Sequence, residues 1–278
     1  MSAVASVEEW SGKDRADENF PVGSWLIRRD LRAHVHAFYA FARNADDIAD
    51  SDSLAPEDKI ARLNIMEDVL LGRGDAGSPS ALALRASLAA TRVTSRHSTD
   101  LLIAFRQDAT KTRYASWDEL LEYCRYSAMP VGRHVLDLHG ESAETHAPSD
   151  ALCASLQVLN HVQDCQKDFR ALDRSYLPLD MLTAVGGAVV DVTHDRETPS
   201  LRHVFTQLLD HVDGLNTTAL DLPRRTRDRR LRLETAVIVG LAQRLTRRLR
   251  AGDPVAGRVK LSKGDGIASL LAALRFLP

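Results

Sequence analysis

Two stretches of the sequence place carboxylates at a spacing suited to binding a cation. The first runs from Phe38 to Asp50, with apolar residues at helical spacing and its acids at the carboxyl end. On a helix Asp46 and Asp50 are i,i+4 neighbours, Arg43 and Tyr39 lie on the same stripe one and two turns earlier, and Asp47 projects about 100° away. Like charges at that spacing cost an isolated helix roughly 0.2–0.5 kcal/mol, and acids near a helix carboxyl terminus also oppose the macrodipole. Local structure therefore does not explain the pair, whereas a cation would. The second stretch, Leu156 to Phe169, repeats the arrangement: Asn160, Asp164 and Asp168 step by four on a face shared with Leu156, so they should point toward a bundle interior. Buried carboxylates without a counter-charge are costly. If the two helices face one another, four carboxylates converge, and hard oxygen donors without Cys or paired His select Mg²⁺ over zinc or copper. Mg²⁺ in turn favours a phosphate-bearing substrate. A single Asp-x-x-x-Asp is usually a solvated helix face. Two of them, each preceded one turn earlier by a polar residue (Arg43, Asn160), favour a paired metal site.

The elements that would position these groups read as helices throughout. The chain is rich in Ala, Leu and Arg at helical periods and poor in alternating β-branched runs, which predicts an all-α fold. Ser78-Pro79 and Thr198-Pro199 place Pro at a first helical turn, and Ser116-Trp117-Asp118-Glu119 has the form of a capping box. The breaks fall at Gly72–Ser80, His139–Ser149 and Gly186–Ser200, with a basic stretch at Pro223–Arg232. None is long enough to demand a domain boundary and no fixed-period repeat is present, so a single domain over 1–278 with roughly eight to ten helices is expected.

Composition narrows the function classes. With 36 Lys and Arg against 38 Asp and Glu the formal net charge is −2, which argues against a dedicated nucleic-acid binder. The three cysteines (Cys124, Cys153, Cys165) form no Cys-x-x-Cys pair, which excludes a disulfide framework and a thiolate zinc site. No secretory signal begins the sequence, and its longest apolar runs reach about half the ~20 residues that span a bilayer. A cytoplasmic location, with peripheral contact at the inner face of the membrane, is the expectation. Arg73-Gly74-Asp75 and Asn216-Thr217-Thr218 then lose their extracellular meanings. His34, His36, His134 and His139 make no metal-binding pair with a Glu and read mostly as surface or core-edge residues. The arginines of Arg224–Arg232, interrupted by Asp228, suit a solvated face or an anionic lipid surface better than nucleic acid.

Taken together, the two aspartate stretches resemble those of the squalene/phytoene synthases, head-to-head prenyl transferases of all-α isoprenoid-synthase fold, a helical bundle around a central cavity. Tyr39-Ala40-Phe41-Ala42-Arg43 with Asp46 to Asp50 is similar to the family's first motif, and Asn160-x-x-x-Asp164-x-x-x-Asp168 with Tyr176-Leu177-Pro178 to its second. Tyr123-Cys124-Arg125-Tyr126-Ser127-Ala128-Met129-Pro130-Val131-Gly132-Arg133 is similar to its kinked Tyr-Cys helix. Glu18-Asn19-Phe20-Pro21-Val22, the Ser-Ala-x-Pro-Val-Gly-Arg segment and the tail Arg258-Val259-Lys260-Leu261-Ser262-Lys263 are most similar to the hydroxysqualene synthase branch of the hopanoid pathway. That resemblance implies ionisation of presqualene diphosphate and capture of the rearranged cation by water, giving hydroxysqualene without NADPH. It implies two or three Mg²⁺ ions on Asp46, Asp50, Asp164 and Asp168, and catalytic roles for Tyr39 and Arg43. Substrate contacts would come from Asn19, Phe20, Tyr123, Asn160, Gln163 and Lys263. Gln163 stands where carotenoid-type relatives carry Arg, and Met129 where this branch is expected to carry Asn. Other enzymes of the hopanoid pathway are the expected protein partners. The competing readings are squalene or phytoene synthase activity, or a non-catalytic helical assembly factor.

Overall fold

Proline and small polar residues decide where the helices begin. In the computed structural model, which describes residues 6–8 and 27–276, Ser78 Oγ accepts the Ala81 N–H at 3.2 Å and Thr198 Oγ1 the Leu201 N–H at 3.1 Å, each just ahead of a proline. Ser116 Oγ accepts the Glu119 N–H at 3.3 Å. The Glu119 carboxylate takes the Ala115 N–H, one residue before the partner a full capping box would use.

The helices are α1 (Arg32–Asp50), α2 (Pro56–Leu70), α3 (Pro79–Thr91), α4 (Arg96–Asp108), α5 (Trp117–Ser127), α6 (Met129–Leu138), α7 (His146–Gln163), α8 (Cys165–Leu172), α9 (Leu179–Ala184), α10 (Pro199–Ala219), α11 (Leu222–Arg225), α12 (Arg229–Ala251) and α13 (Lys263–Ala273). No strand occurs among the described residues. The segments outnumber the eight to ten expected because two helices are each interrupted at one residue, Ala128 and Asp164, and because α9 and α11 are short. Pro130, which lacks an N–H, follows the first interruption and accounts for the kink expected in the Tyr-Cys helix. None of these helices is long and apolar enough to cross a membrane.

The chain forms two compact units. The first comprises the described residues up to Lys111 together with Arg133–Gly140. Its centre is α1, which packs on α2, α3 and α4 through Phe41, Ala45 and Ile48 against Leu63, Met66, Leu84, Leu101 and Leu102, all fully buried. Burying that face leaves Tyr39, Arg43, Asp46 and Asp50 partly open on α1. His134 departs from the core-edge expectation. It is 1% exposed and stacks on Phe38 with ring centroids 3.8 Å apart, and burial pushes its pKa down to about 3, so it packs as a neutral ring.

The second unit comprises Thr112–Gly132 and the described residues from Glu141 onward. Here α7 lies along α10 and α12, and α12 along α13. At Gly132 a Cβ would sit 2.4 Å from Ser149 Oγ and 2.7 Å from Cys153 Sγ, so the close approach of α6 to α7 requires glycine. A buried polar chain ties three helices: Ser155 Oγ donates to Asn216 Oδ1 at 2.7 Å, Asn216 Nδ2 to Thr246 Oγ1 at 3.1 Å, and Thr246 Oγ1 to the Ala242 carbonyl at 2.9 Å. Asn216 is 2% exposed, so the folded protein offers it to no modifying enzyme. Asn216→Ala, which strands the buried Ser155 hydroxyl and takes the amide donor from Thr246, should lower the unfolding free energy by about 1–3 kcal/mol in urea titrations. The triple change Ser155→Ala, Asn216→Leu, Thr246→Val should recover most of that loss.

Candidate functional site

The last turns of α1 gather more charge than helical spacing alone indicated. Arg43 forks onto two acids, with Nη1 3.1 Å from Asp46 and Nη2 2.8 Å from Asp47. The Asp47 side chain is 5% exposed and that of Asp46 36%, so the residue lying off the expected stripe is the one most deeply tied to Arg43. The surrounding protein, the Asp50 carboxylate and, more weakly, Asp108 and Asp47 push the Asp46 pKa up to about 8 against the pull of Arg43. Asp108, at the carboxyl end of α4, was not legible as a neighbour, because only the packing of α4 on α1 brings it near. The donor set fits Mg²⁺, which takes one or two carboxylates and completes its shell with water and phosphate oxygens instead of demanding an all-protein cage. Among the described residues no group of three or more His, Cys, Asp or Glu is arranged to hold a metal by itself.

The second motif survives a break in its helix. Asp164 (φ −105°, ψ 9°) separates α7 from α8, yet its N–H still reaches the Asn160 carbonyl at 2.9 Å and the Asp168 N–H reaches the Asp164 carbonyl at 2.8 Å. Asn160, Asp164 and Asp168 therefore keep their four-residue register through the interruption. Asp164 is held by Arg258, whose Nε and Nη2 lie 2.8 and 3.0 Å from the two carboxylate oxygens. Gln163 Nε2 donates to the Val259 carbonyl at 2.5 Å, so the segment ahead of α13 is fastened to the motif at two points. Lys263 is the exposed first residue of α13. That helix start is fixed by a capping box between Ser262 and Asp265, with Arg248 Nε 2.6 Å from Asp265. The Ser262 hydrogen bonds and Arg248 hold the Asp265 pKa down at about 2.

Tyr123 belongs to an aromatic cluster of the same unit. Its ring centroid is 5.2 Å from Tyr114, 5.5 Å from Tyr176 and 6.1 Å from His161, and His161 stacks on Tyr176 at 3.4 Å. Burial, reinforced by Arg174, lowers the His161 pKa to about 3, so the ring is neutral. Arg174 is itself buried, with Nη1 3.3 Å from the Tyr176 hydroxyl. Sequence reasoning missed Tyr114, His161 and Arg174 as members of one cluster. Asn19 and Phe20 lie outside the described residues.

The sequence pattern that defines squalene/phytoene synthases matches residues 13–265, which include both aspartate motifs and Arg258. The chain belongs to the squalene/phytoene synthase family. The hydroxysqualene synthase of Rhodopseudomonas palustris is 46% identical over 264 residues, covering 95% of this chain and 90% of that protein. That of Sinorhizobium fredii is 46% identical over 246 residues, covering 88% and 84%. The crystal structure of squalene synthase HpnC from Alicyclobacillus acidocaldarius matches with a TM-score of 0.75 at 32% identity, covering 85% of this chain and 90% of that one. This squalene/phytoene synthase is thus an enzyme with the all-α isoprenoid-synthase fold, similar over nearly its whole length to hydroxysqualene synthases.

The raised pKa of Asp46 sets a pH dependence for the metal-free protein. Between the ordinary carboxylate value and about 8 the folded chain holds a proton that the unfolded chain releases, so stability falls as pH rises through that window. Asp46→Asn removes this dependence. In EDTA its melting temperature should match wild type near pH 4 and exceed it by a widening margin of a few degrees toward pH 9. A margin that stays constant with pH would mean that Asp46 is ionised throughout.

Proposed function

We propose that this enzyme converts presqualene diphosphate and water to hydroxysqualene and diphosphate, using Mg²⁺ and no NADPH, in hopanoid and squalene biosynthesis. The observation that carries this reading is the 42–46% identity to three hydroxysqualene synthases across alignments that span both intact aspartate motifs. In the reaction the carbon–oxygen bond to diphosphate breaks, and both electrons leave with the diphosphate. The water oxygen then bonds to the rearranged cation and gives up a proton, so the hydride that squalene formation requires is not needed.

Two or three Mg²⁺ ions on Asp46, Asp50, Asp164 and Asp168 would supply Lewis-acid neutralisation of the leaving diphosphate. On this reading both motifs serve the same diphosphate, and the whole of 1–278 acts as one functional domain. Arg43 and Lys263, supported by Asn19, Asn160 and Gln163, grip phosphate oxygens. Arg258, already beside Asp164, joins them. Tyr39, Phe20 and Tyr123 offer aromatic faces to the carbocation, each worth about 0.5–2 kcal/mol. A neutral His161 beside Tyr123 adds no opposing positive charge. The substrate's long hydrocarbon chains favour work at a membrane surface, at the inner face and in the company of other hopanoid-pathway enzymes. The exposed arginines of Arg224–Arg232 supply attraction to anionic lipid.

Purified enzyme incubated with presqualene diphosphate and Mg²⁺ should release hydroxysqualene without NADPH. Squalene formed only with NADPH, or phytoene from geranylgeranyl diphosphate, would assign the chain to another activity of the family. Asp50→Ala and Asp168→Ala should each lower turnover by at least about 100-fold, with far-UV circular dichroism unchanged. Retention of most turnover at saturating Mg²⁺ in either variant would remove its assigned role.

A further inference from the structure

Helix α13 turns its small and polar residues to the protein and its large apolar ones outward. Asp265, Ser269 and Ala273 are buried. Asp265 meets Arg248 at 2.6 Å, Ser269 Oγ accepts from Arg244 Nε at 3.1 Å, and a Cβ on Gly240 would lie 3.1 Å from the same hydroxyl, so this side faces α12. On the opposite side Ile267, Leu270, Leu271 and Leu274 are 62, 41, 62 and 46% exposed. Their i, i+3, i+4, i+7 spacing puts them on one stripe that runs from α13 into the 3₁₀ turn Leu274–Phe276. The other exposed large apolar residues among those described are scattered over several elements, which is ordinary for a protein surface. A contiguous run of large apolar side chains left in water marks an interaction surface.

Charge selects the cover. Lys263 opens the stripe one turn before Ile267, and Arg275 follows Leu274. The one carboxylate between Lys263 and Phe276 is Asp265, turned toward α12. The pairing of Asp265 with Arg248 and of Ser269 with Arg244 and Gly240 makes α13 antiparallel to α12. The Leu274 end therefore runs toward the arginine-rich start of α12, where Arg229 and Arg230 are exposed, as are Arg224, Arg225 and Arg227 just before it.

We propose that the outer stripe of α13 docks this enzyme on an anionic phospholipid surface. Ile267, Leu270, Leu271 and Leu274 enter the headgroup–acyl boundary, while Arg275 and the neighbouring arginines meet lipid phosphates. A second copy of the chain is a poorer cover. Two turns of helix fall well short of the ~800 Å² per partner of a stable interface, and antiparallel pairing of two stripes would set Lys263 against Arg275. This inference rests on the membrane contact proposed above, to which it adds the inserting element, and does not depend on the reaction assigned there.

Sedimentation with vesicles of phosphatidylglycerol and phosphatidylcholine tests it. Wild type should pellet with the anionic vesicles and much less with phosphatidylcholine alone. The triple variant Ile267→Ser, Leu271→Ser, Leu274→Ser should bind at least about 10-fold more weakly, with wild-type melting temperature and turnover of water-dispersed substrate. Replacing Arg224, Arg225, Arg229 and Arg230 by Gln should remove the salt-sensitive part of binding. In Leu271→Trp, brominated lipid should quench more emission than in wild type, which reads insertion without relying on loss of function. Wild-type binding by the triple variant, no added quenching in Leu271→Trp, or a concentration-dependent dimer that the triple variant abolishes would each overturn the proposal.

Discussion

A carboxylate drawn out of water must find a counter-charge or keep its proton, and the organisation of both aspartate motifs follows from that requirement. The two motifs meet it differently. On α1 a single guanidinium, Arg43, serves Asp46 and Asp47 while Asp50 and Asp108 press from nearby, and the unbalanced remainder is met by protonation of Asp46. At the junction of α7 and α8, Asp164 has a guanidinium of its own. The surrounding architecture keeps these acids in place. The buried face of α1 holds the first set against its own repulsion, and the backbone bonds that pass through Asp164 keep the second in register.

Beside the second motif the protein is aromatic. Tyr114, Tyr123, Tyr176 and His161 bring ring faces together, and burial keeps the imidazole from charging. The rings are almost fully buried and pack on one another. The nearby positive charge, Arg174, is directed at the Tyr176 hydroxyl.

Much of this was legible in the sequence where the signal is local. The helix starts after Ser78 and Thr198 and the four-residue stepping of the aspartates depend on residues within one or two turns of one another. What was not legible depends on packing between distant segments. Asp108 reaches Asp46 through the docking of α4, and Arg258 reaches Asp164 from 94 residues away. His134 shows the limit from the other side, because no periodicity distinguishes an edge histidine from one stacked in the core on Phe38. Helical-wheel reasoning also placed Asp47 off the functional stripe. A long arginine side chain spans i+3 and i+4 together, and the wheel does not represent that reach.

The grip of Arg258 on Asp164 makes the second motif and the tail a single equilibrium. Any ligand that takes the Asp164 oxygens competes with the guanidinium, so its apparent affinity there is its intrinsic affinity reduced by the strength of that latch. Opening the latch also removes one of the two ties described between the motif and the segment leading into α13, the other being the Gln163 contact to Val259. Occupancy at Asp164 is thereby converted into slack in the tail, and a restrained tail in turn disfavours occupancy, by the same factor in both directions.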